Sequence, residues 1–201
     1  DDDALRQRLR VIVDGHRLVD RAFVTTPAGV LWADYPKAPE SLGRNFAHRD
    51  WYKGVAASWQ TFVSPVYQRN AEPRIPVVAV ATPIRDPVTD AATGILVIQL
   101  DLSPLSKLLG EFTADGGETA FVIDHAGAVV AHSQLDLRSE LHKDYAGSAP
   151  VVAALAGETV TSRYVDPAFG GEQLVTAIPI RVLQHRWAVV AQQPVEVAYR
   201  P

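Results

Sequence analysis

The sequence contains no cysteine among its 201 residues. This absence excludes disulfide bonds, thiolate zinc sites and cysteine nucleophiles, but it fits either a bacterial periplasm or a cytosol. Long apolar runs are also missing: none reaches the ~18–20 residues that a transmembrane helix requires, and no signal peptide is present. The formal net charge is −4, and no run of Lys and Arg appears, so the sequence predicts no binding of nucleic acid.

Signatures of catalysis are missing as well. A Gly-x-Ser-x-Gly motif, a glycine-rich phosphate loop and a dinucleotide fingerprint are all absent. Ser64 has no candidate base in a recognisable pattern that would make it a nucleophile. None of the six histidines belongs to a His-x-x-x-His or His-x-Glu pair that suits zinc. We therefore expect no enzyme activity, no metal and no cofactor in this chain.

The residues that are present suffice for an ordered core. Hydrophobic residues make up 47% of the chain and charged residues 21%, a balance typical of folded chains. The length allows one large domain or two modules of roughly 90 residues each. Because the chain starts at Asp1 and ends in Tyr199-Arg-Pro201, we expect it to be a piece excised from a longer protein.

The order of the predicted elements repeats along the chain. Apolar residues at helical spacing over 2–19 predict one long amphipathic helix, broken around Asp14–Gly15 or soon after. A hairpin at 22–33, a helix near 48–58 and three strands follow. After a helix at 103–112 the same order returns, with a second hairpin at 120–132, a short helix and three more strands.

The strands outside the two hairpins are predicted at 61–68, 75–85, 94–102, 158–165, 173–181 and 186–192. Each half of the chain then has about five antiparallel strands with a helix on one face. This arrangement predicts the α+β class.

One short segment, Gly43-Arg-Asn-Phe-Ala-His-Arg-Asp-Trp-Tyr52, combines a cation with two large aromatic residues. The guanidinium of Arg49 offers a planar fork that matches a carboxylate. The Trp51 N–H and the Tyr52 O–H add hydrogen-bond donors on mostly apolar side chains. These groups would suit a pocket for a small carboxylate. The alternative is that both aromatic residues belong to the core and that Arg49 is a surface residue.

Several motifs follow one another in a fixed order over most of the chain. They are Phe23-Val-Thr-Thr-Pro-Ala-Gly-Val30, Gly43 with Arg49-Asp-Trp-Tyr52, Ser64-Pro-Val-Tyr67, Pro83-Ile-Arg-Asp86, Gly94-Ile-Leu-Val-Ile-Gln-Leu-Asp-Leu102, Val122-Ile-Asp-His-Ala-Gly-Ala-Val-Val-Ala-His132 and Trp187-Ala-Val-Val-Ala-Gln-Gln-Pro194. In this order and spacing they resemble the double Cache (PAS-like) sensor ectodomains of bacterial chemoreceptors, histidine kinases and diguanylate cyclases.

The resemblance implies an organisation for the chain. It predicts an N-terminal stalk helix at 1–19, a membrane-distal, ligand-binding Cache module at 20–110, a membrane-proximal Cache module at 111–193 and an exit segment at 194–201. Each module is expected to be a roughly five-stranded antiparallel sheet flanked by helices. The resemblance also implies transmembrane helices beyond both termini, a homodimeric full-length receptor anchored in the membrane, and a periplasmic location.

The resemblance further implies a ligand site in the distal module. Family members that bind amino acids share a pattern that matches Arg49, Trp51, Tyr52, Tyr67 and Asp101 in this sequence. The chemistry of these side chains agrees with the pattern: Arg49 and Trp51 could hold a carboxylate, and Asp101, helped by a tyrosine hydroxyl, could hold an ammonium. Asp101 could instead cap the helix that begins near Ser103.

Two neighbouring residues extend the candidate site. The amino-acid-binding members carry a tyrosine five residues before the arginine, where this sequence has Arg44. A second cation at that position could favour a simple carboxylate or a dicarboxylate. His48 precedes Arg49 and could contact the ligand or be an ordinary exposed loop histidine.

These features together predict the extracytoplasmic ligand-sensing domain of a bacterial transmembrane signal-transduction receptor. The expected ligand bears a carboxylate and is an amino acid or an organic acid. No equivalent of Arg-x-Trp-Tyr follows residue 111, so we expect no ligand in the proximal module. The alternative is a sensor-like ectodomain without a small-molecule ligand, which dimerises or binds a periplasmic protein. Convergence of Arg49, Trp51, Tyr67 and Asp101 on one enclosed cavity would favour the ligand-binding function.

Overall fold

The computed structural model describes residues 2–113, 117–138 and 141–199. The chain forms two compact units, Asp1–Asp101 and Leu102–Pro201, which we call the N-terminal and C-terminal units. This division assigns the helix after residue 102 to the C-terminal unit, whereas the sequence-based boundary lay at 110. No helix in the described ranges is both long and apolar enough to cross a membrane.

The first helix, α1 (Asp2–Gly15), packs its apolar face on the N-terminal sheet. It ends at Gly15, at the predicted break. Leu9 is 1% exposed because it lies against Val24 and two alanines of the first two strands. The predicted amphipathic helix is therefore confirmed, and its apolar face is used within the unit.

The N-terminal sheet has six strands, all paired antiparallel. The strands are β1 (Val19–Thr25), β2 (Leu31–Tyr35), β3 (Phe62–Val63), β4 (Tyr67–Gln68), β5 (Pro76–Arg85) and β6 (Ala92–Leu100). In space the order is β2-β1-β6-β5-β3, and β4 pairs with β5.

The strand predicted at 61–68 is split into β3 and β4. Pro65 has no N–H to donate to a sheet ladder and interrupts the pairing. Just before it, the Ser64 hydroxyl accepts a hydrogen bond from the Ala79 backbone N–H at 2.9 Å. Because of this break, the sheet has six strands instead of about five, and two of them, β3 and β4, have only two residues each.

The helix α2 (Asp50–Ser58) covers the other face of this sheet. Its buried residues are Trp51 and Val55, and the Trp51 ring meets the Phe23 ring edge-on at 5.6 Å between centroids. On the next turn, Gly54 leaves room for the ring of Phe62, which would lie 2.3 Å from a Cβ at that position. This glycine therefore allows the close approach of α2 to β3.

The elements of the C-terminal unit are α3 (Ser103–Thr113), β7 (Thr119–Ile123), β8 (Val129–His132), α4 (Ala149–Ala156), β9 (Val160–Val165), β10 (Glu172–Val182), β11 (His185–Pro194) and α5 (Val195–Ala198). Its strands form a five-stranded antiparallel sheet in the order β8-β7-β11-β10-β9. The core joins Phe121 and the apolar residues of the longer strands to Val151 and Ala154 of the short helix α4. Two antiparallel sheets with few helices confirm the predicted α+β class with tandem modules.

Replacing Gly54 with alanine should destabilise the N-terminal unit. Alanine is favoured over glycine inside a helix by about 1 kcal/mol, but overpacking of the kind expected against the Phe62 ring costs about 1–3 kcal/mol. We expect a net decrease in the free energy of unfolding of up to about 2 kcal/mol, measured by urea denaturation with tryptophan fluorescence.

The matched control is Gly15→Ala at the end of α1, where no atom lies within 4 Å of the added Cβ. This variant should be as stable as the parent chain or slightly more stable. If Gly54→Ala were equally harmless, the close contact between α2 and Phe62 would not constrain the unit.

Candidate functional site

A small cavity lies inside the N-terminal unit, between the sheet and the segment that leads into α2. The space open to the centre of a water-sized sphere is about 30 Å³, enough for ordered water. Unless the domain changes conformation, the cavity therefore admits only a ligand of a few heavy atoms. The polar residues of the lining are Arg21, Asp34, Ser41, Arg49, Tyr67, Asn70 and Gln99, and the apolar ones are Phe23, Leu31, Phe46, Trp51 and Ala71.

A buried ion pair forms one wall of the cavity. Arg21 on β1 donates from Nη1 to Asp34 Oδ2 on β2 at 2.9 Å, and both residues are buried, at 7% and 0% exposure. The same Nη1 donates to the Pro36 carbonyl at 2.5 Å, and Asp34 Oδ2 accepts the Ala38 backbone N–H at 2.9 Å. The pair therefore attaches the loop after β2 to the first two strands.

The hydrogen bonding of this wall is incomplete. Asp34 Oδ1, Arg21 Nε and Gln99 Oε1 are buried and have no hydrogen-bond partner among the residues that the structure describes. Burial raises the pKa of Asp34, and the opposing effects of the Ala38 N–H and the Arg21 charge do not cancel that shift. A buried polar atom without a partner costs about 1–3 kcal/mol, so this wall lowers the stability of the N-terminal unit.

Arg49 sits at the start of α2 and is held from two sides. Its Nη2 donates to Asn70 Oδ1, and its guanidinium carbon lies 5.2 Å from the centroid of the Tyr67 ring. Such a cation–π contact fixes the plane of the guanidinium without using its donors. The described part of the chain supplies no carboxylate partner for Arg49.

Tyr67 and Gln99 are joined across neighbouring strands. Gln99 donates from Nε2 to the Tyr67 hydroxyl oxygen at 2.7 Å. Burial raises the pKa of Tyr67 to about 12, against the smaller opposing effects of Gln99 and Arg49. The phenol is therefore neutral at physiological pH and keeps its proton for an acceptor.

Of the predicted site residues, Arg49, Trp51 and Tyr67 line the cavity and Tyr52, Asp101, Arg44 and His48 do not. Tyr52 donates its hydroxyl proton to the Pro27 carbonyl at 2.9 Å, and its ring lies against Gly29. The side chains of Arg44 and His48 are exposed. A role in ligand binding remains a prediction for all of them, and the cavity geometry supports it for the first three.

Asp101 follows β6 and lies in a different environment. Its backbone N–H donates to the Leu18 carbonyl at 3.0 Å. Burial lowers the pKa of Arg69, and the carboxylates of Asp101 and Glu72 partly oppose that shift. The structure thus places Asp101 near Arg69 and outside the cavity lining.

Sequence reasoning did not single out Arg21, Asp34 and Gln99. Each of these polar residues lies in a run of mostly apolar strand residues. Burying a polar group in such a run is costly unless it has a partner, so a polar residue within a predicted core strand is itself a signal for a site. That signal was present at Gln99, between Ile98 and Leu100.

The C-terminal unit also contains a buried polar network, around Tyr145 and Asp166. The Tyr145 hydroxyl lies 3.3 Å from His132 Nε2 and donates to the Asp166 carboxylate at 3.4 Å. Gln192 donates to the same carboxylate and accepts from the Tyr164 hydroxyl. In the parts of the chain that are described, no group of three or more His, Asp or Glu side chains is arranged to hold a metal ion.

A family model described as "Cache domain" matches residues 1–201. The chain belongs to the Cache domain family. Cache domains of this type are sensory ligand-binding domains. No curated protein matches this chain.

Solved structures of sensor domains share the fold of this Cache domain. The periplasmic sensory domain of the Campylobacter jejuni chemoreceptor Tlp1 has a TM-score of 0.73 and 15% identity, covering 100% of this chain and 81% of that one. The ligand-binding domain of Pseudomonas aeruginosa PctB, in complex with L-Gln, has a TM-score of 0.73 and 16% identity, covering 99% and 77%. The extracellular domain of the putative histidine kinase rpHK1S-Z16 has a TM-score of 0.77 and 13% identity, covering 98% and 80%.

Another similar structure is an extracellular ligand binding receptor from Desulfohalobium retbaense, with a TM-score of 0.71 and 9% identity. The match covers 92% of this Cache domain but 32% of that receptor chain. At such low identities these likenesses concern the fold, and the ligand has to be argued from the cavity itself.

His132 should make the stability of the domain depend on pH. Its Nδ1 accepts the backbone N–H groups of Gln134 and Leu135, both at 3.0 Å, so protonation of Nδ1 would remove two hydrogen bonds. Burial lowers the pKa of His132 to about 4. Between about pH 6.5 and this value the unfolded chain binds a proton that the folded chain does not, so stability decreases as the pH falls through this window.

The expected loss at His132 is at most about 3 kcal/mol at the acid end of that window. It can be measured from urea unfolding curves at pH 7 and pH 5. In His132→Asn the amide oxygen can still accept the two N–H groups but does not titrate, so the difference between the two pH values should shrink. The control His16→Asn changes an exposed histidine and should leave the difference as it is; equal pH effects in parent and His132→Asn would contradict the assignment.

Proposed function

We propose that this Cache domain is the extracytoplasmic ligand-sensing part of a bacterial transmembrane signal-transduction receptor, and that the cavity of its N-terminal unit binds a small carboxylate-bearing ligand. The observation that carries this proposal is the charge of the cavity lining. Two guanidinium groups, Arg21 and Arg49, face one carboxylate, Asp34. Because Asp34 is paired with Arg21, the charge of Arg49 is available for a ligand.

Arg49 has the geometry required for this role. Asn70 and the Tyr67 ring hold the guanidinium in place, so little side-chain entropy is lost when a ligand binds. A planar guanidinium can donate two parallel hydrogen bonds to one carboxylate. The Tyr67 hydroxyl adds a neutral donor close to the same space, and Phe23 and Trp51 provide apolar surface for the rest of the molecule.

The ligands of similar domains support a carboxylate. PctB is described in complex with L-Gln, PctC of Pseudomonas aeruginosa with GABA, and CtaA of Pseudomonas fluorescens with L-isoleucine. These three molecules share a carboxylate and an amine. For the ligand of the present chain we propose only the carboxylate of these molecules, because Arg49 can bind it.

Binding can be converted into a signal by a change in the cavity wall. The cavity is small, so a ligand larger than a few heavy atoms requires movement of the loop after β2 and of α2. We propose that the ligand binds a closed arrangement of this loop and helix more tightly than the open one, and so shifts the population toward the closed state. This shift would reach α1 and the exit after β11. In the full-length receptor these ends would lead to membrane anchors, with the domain in the periplasm and the receptor acting as a homodimer.

The alternative function, an ectodomain that dimerises or binds a protein without a small molecule, is supported by an exposed apolar surface. Val11 on α1 is 65% exposed. Next to it, an open groove is lined by Ile12, Leu18, Leu96, Ile98 and Leu100. A negative result with a broad panel of carboxylates would favour this alternative.

Replacing Arg49 with alanine should weaken ligand binding at least tenfold. A charge-assisted hydrogen bond is worth about 1.5–3 kcal/mol, and the loss of the guanidinium removes a bidentate contact. The domain is first screened by thermal shift against amino acids and small organic acids, and the affinities of the hits for parent and variant are then compared by isothermal titration calorimetry.

Arg44→Ala is the matched control, because Arg44 belongs to the same segment but is exposed and lies outside the cavity lining. This variant should bind with the affinity of the parent. If Arg49→Ala binds every hit as tightly as the parent does, the assignment of the cavity is wrong. A loss in Arg44→Ala would instead place the ligand toward the outer end of this segment.

A further inference from the structure

We infer that the C-terminal unit carries a second binding site, a pocket beside the β10–β11 hairpin that takes a phosphate dianion, either free or as the monoester of a small organic molecule. The absence of an Arg-x-Trp-Tyr pattern after residue 111 predicted no ligand in this module, but this pocket is built from other residues. Its lining consists of His125, Leu155, Arg181, Gln184, His185 and Arg186.

The pocket is roomy and polar. The space open to the centre of a water-sized sphere is about 330 Å³, against about 30 Å³ in the cavity of the N-terminal unit. Among the residues that the structure describes, Leu155 is the only apolar one in the lining. The pocket therefore has room for a phosphate group with a short organic part, and its surface suits a hydrophilic molecule.

Two arginines stand directly opposite each other in this lining. Arg181 of β10 is paired with Arg186 of β11, so their side chains leave the same face of the sheet with Cβ atoms about 5 Å apart. Like charges in such a cross-strand pair are destabilising. Within the described ranges, no Asp or Glu lines the pocket. An anion bound between the two guanidinium groups would remove their repulsion.

The contacts of the two guanidinium groups leave donors for this anion. Arg186 donates from Nη1 to the Ala156 carbonyl at the end of α4, at 3.0 Å. Arg181 donates from Nε to the Leu183 carbonyl in the hairpin turn, at 3.2 Å. A guanidinium has five N–H donors, so each of these contacts orients the group and leaves other donors. Both arginines are exposed, so an anion can reach them from solvent.

Charge and shape favour a phosphate over a carboxylate. The two guanidinium groups stay protonated, and a phosphate monoester brings a charge of about −1.5 to −2 at pH 7 on three acceptor oxygens. Two guanidinium forks on one face can both donate to this compact group, whereas a single fork already fills both oxygens of a carboxylate. A dicarboxylate has a similar charge but carries it at two separate ends.

The histidines of the lining should couple this site to pH. His125 and His185 stack with 3.5 Å between ring centroids. Burial lowers the pKa of both rings, the charge of His125 lowers the pKa of His185 further, and the buried Asp124 opposes these shifts. The charges of Arg181 and Arg186 face the same pocket. A bound anion favours the protonated rings, so by linkage its affinity should rise as the pH falls.

The ligand class is tested on the parent domain by isothermal titration calorimetry in a buffer without phosphate. Inorganic phosphate and glycerol 3-phosphate are compared with succinate and acetate. We expect at least one of the two phosphates to bind at least about tenfold more tightly than either carboxylate, and the tighter of the two tells a free phosphate from a monoester. Succinate binding as tightly as both phosphates, or no binding of either phosphate at millimolar concentration, would overturn the inference.

Arg181→Gln tests the position of the site. This variant should bind the preferred phosphate at least about tenfold more weakly, because one charge-assisted fork is lost. The matched control is Arg163→Gln, which makes the same charge change at an exposed residue of β9 outside the lining, and it should bind like the parent. Unchanged binding in Arg181→Gln, or an equal loss in both variants, would contradict the assignment of the pocket.

Sulfate reports on the histidines, because it is a tetrahedral dianion whose own charge stays constant between pH 8 and pH 6. Its affinity for the parent domain should rise over this interval as the pH falls, and His125→Asn should reduce the rise. A sulfate affinity that does not depend on pH would overturn the role of the histidine pair.

Arg49→Ala separates this site from the carboxylate cavity of the N-terminal unit. This variant should bind the phosphate like the parent, whatever it does to carboxylate binding. If Arg49→Ala lost phosphate binding while Arg181→Gln kept it, the phosphate would bind in the N-terminal unit, and the second site would be overturned. A failure of the carboxylate screen leaves the phosphate measurement as it is.

Discussion

The ion pair between Arg21 and Asp34 is the interaction on which the architecture of the cavity depends. It joins β1 to β2 and, through the Pro36 carbonyl and the Ala38 N–H, fixes the start of the loop that leads to α2. A buried ion pair adds little net stability, but removal of one partner typically costs about 3–5 kcal/mol. Its main effect here is therefore geometric, because it holds the loop at the cavity wall.

The sequence left open whether the aromatic residues of the Arg-x-Trp-Tyr segment belong to a pocket or to the core, and at Trp51 of α2 both are true. Trp51 is 2% exposed and belongs to the core, yet it also lines the cavity. Arg49, two residues earlier, is held at the start of the helix by Asn70 and Tyr67. Because the same short helix anchors the core and presents the cation, a change of packing under α2 is expected to reach the cavity and Arg49 directly.

Both units bury polar groups inside their cores. In the C-terminal unit, His132, Tyr145, Asp166 and Gln192 are connected by hydrogen bonds to one another or to the backbone. In the N-terminal unit, the Arg21–Asp34 pair and the hydrogen bond from Gln99 to Tyr67 join strands beside the cavity. Hydrogen bonds inside a low-dielectric core are strong, so such networks hold the packing of the strands that carry them.

The sequence by itself determined the class of the fold and pointed to one side of the cavity. The helical spacing of α1, the two hairpins and the Arg-x-Trp-Tyr segment are local patterns, and local patterns predict elements and short motifs well. Only the tertiary structure decided the other side of the cavity. Arg21 and Asp34 are brought together by the pairing of β1 with β2, and Gln99 lies on the cavity while Asp101 lies near Arg69 beyond the end of β6. Periodicity does not specify register, and the direction of a strand end depends on the neighbours that it meets.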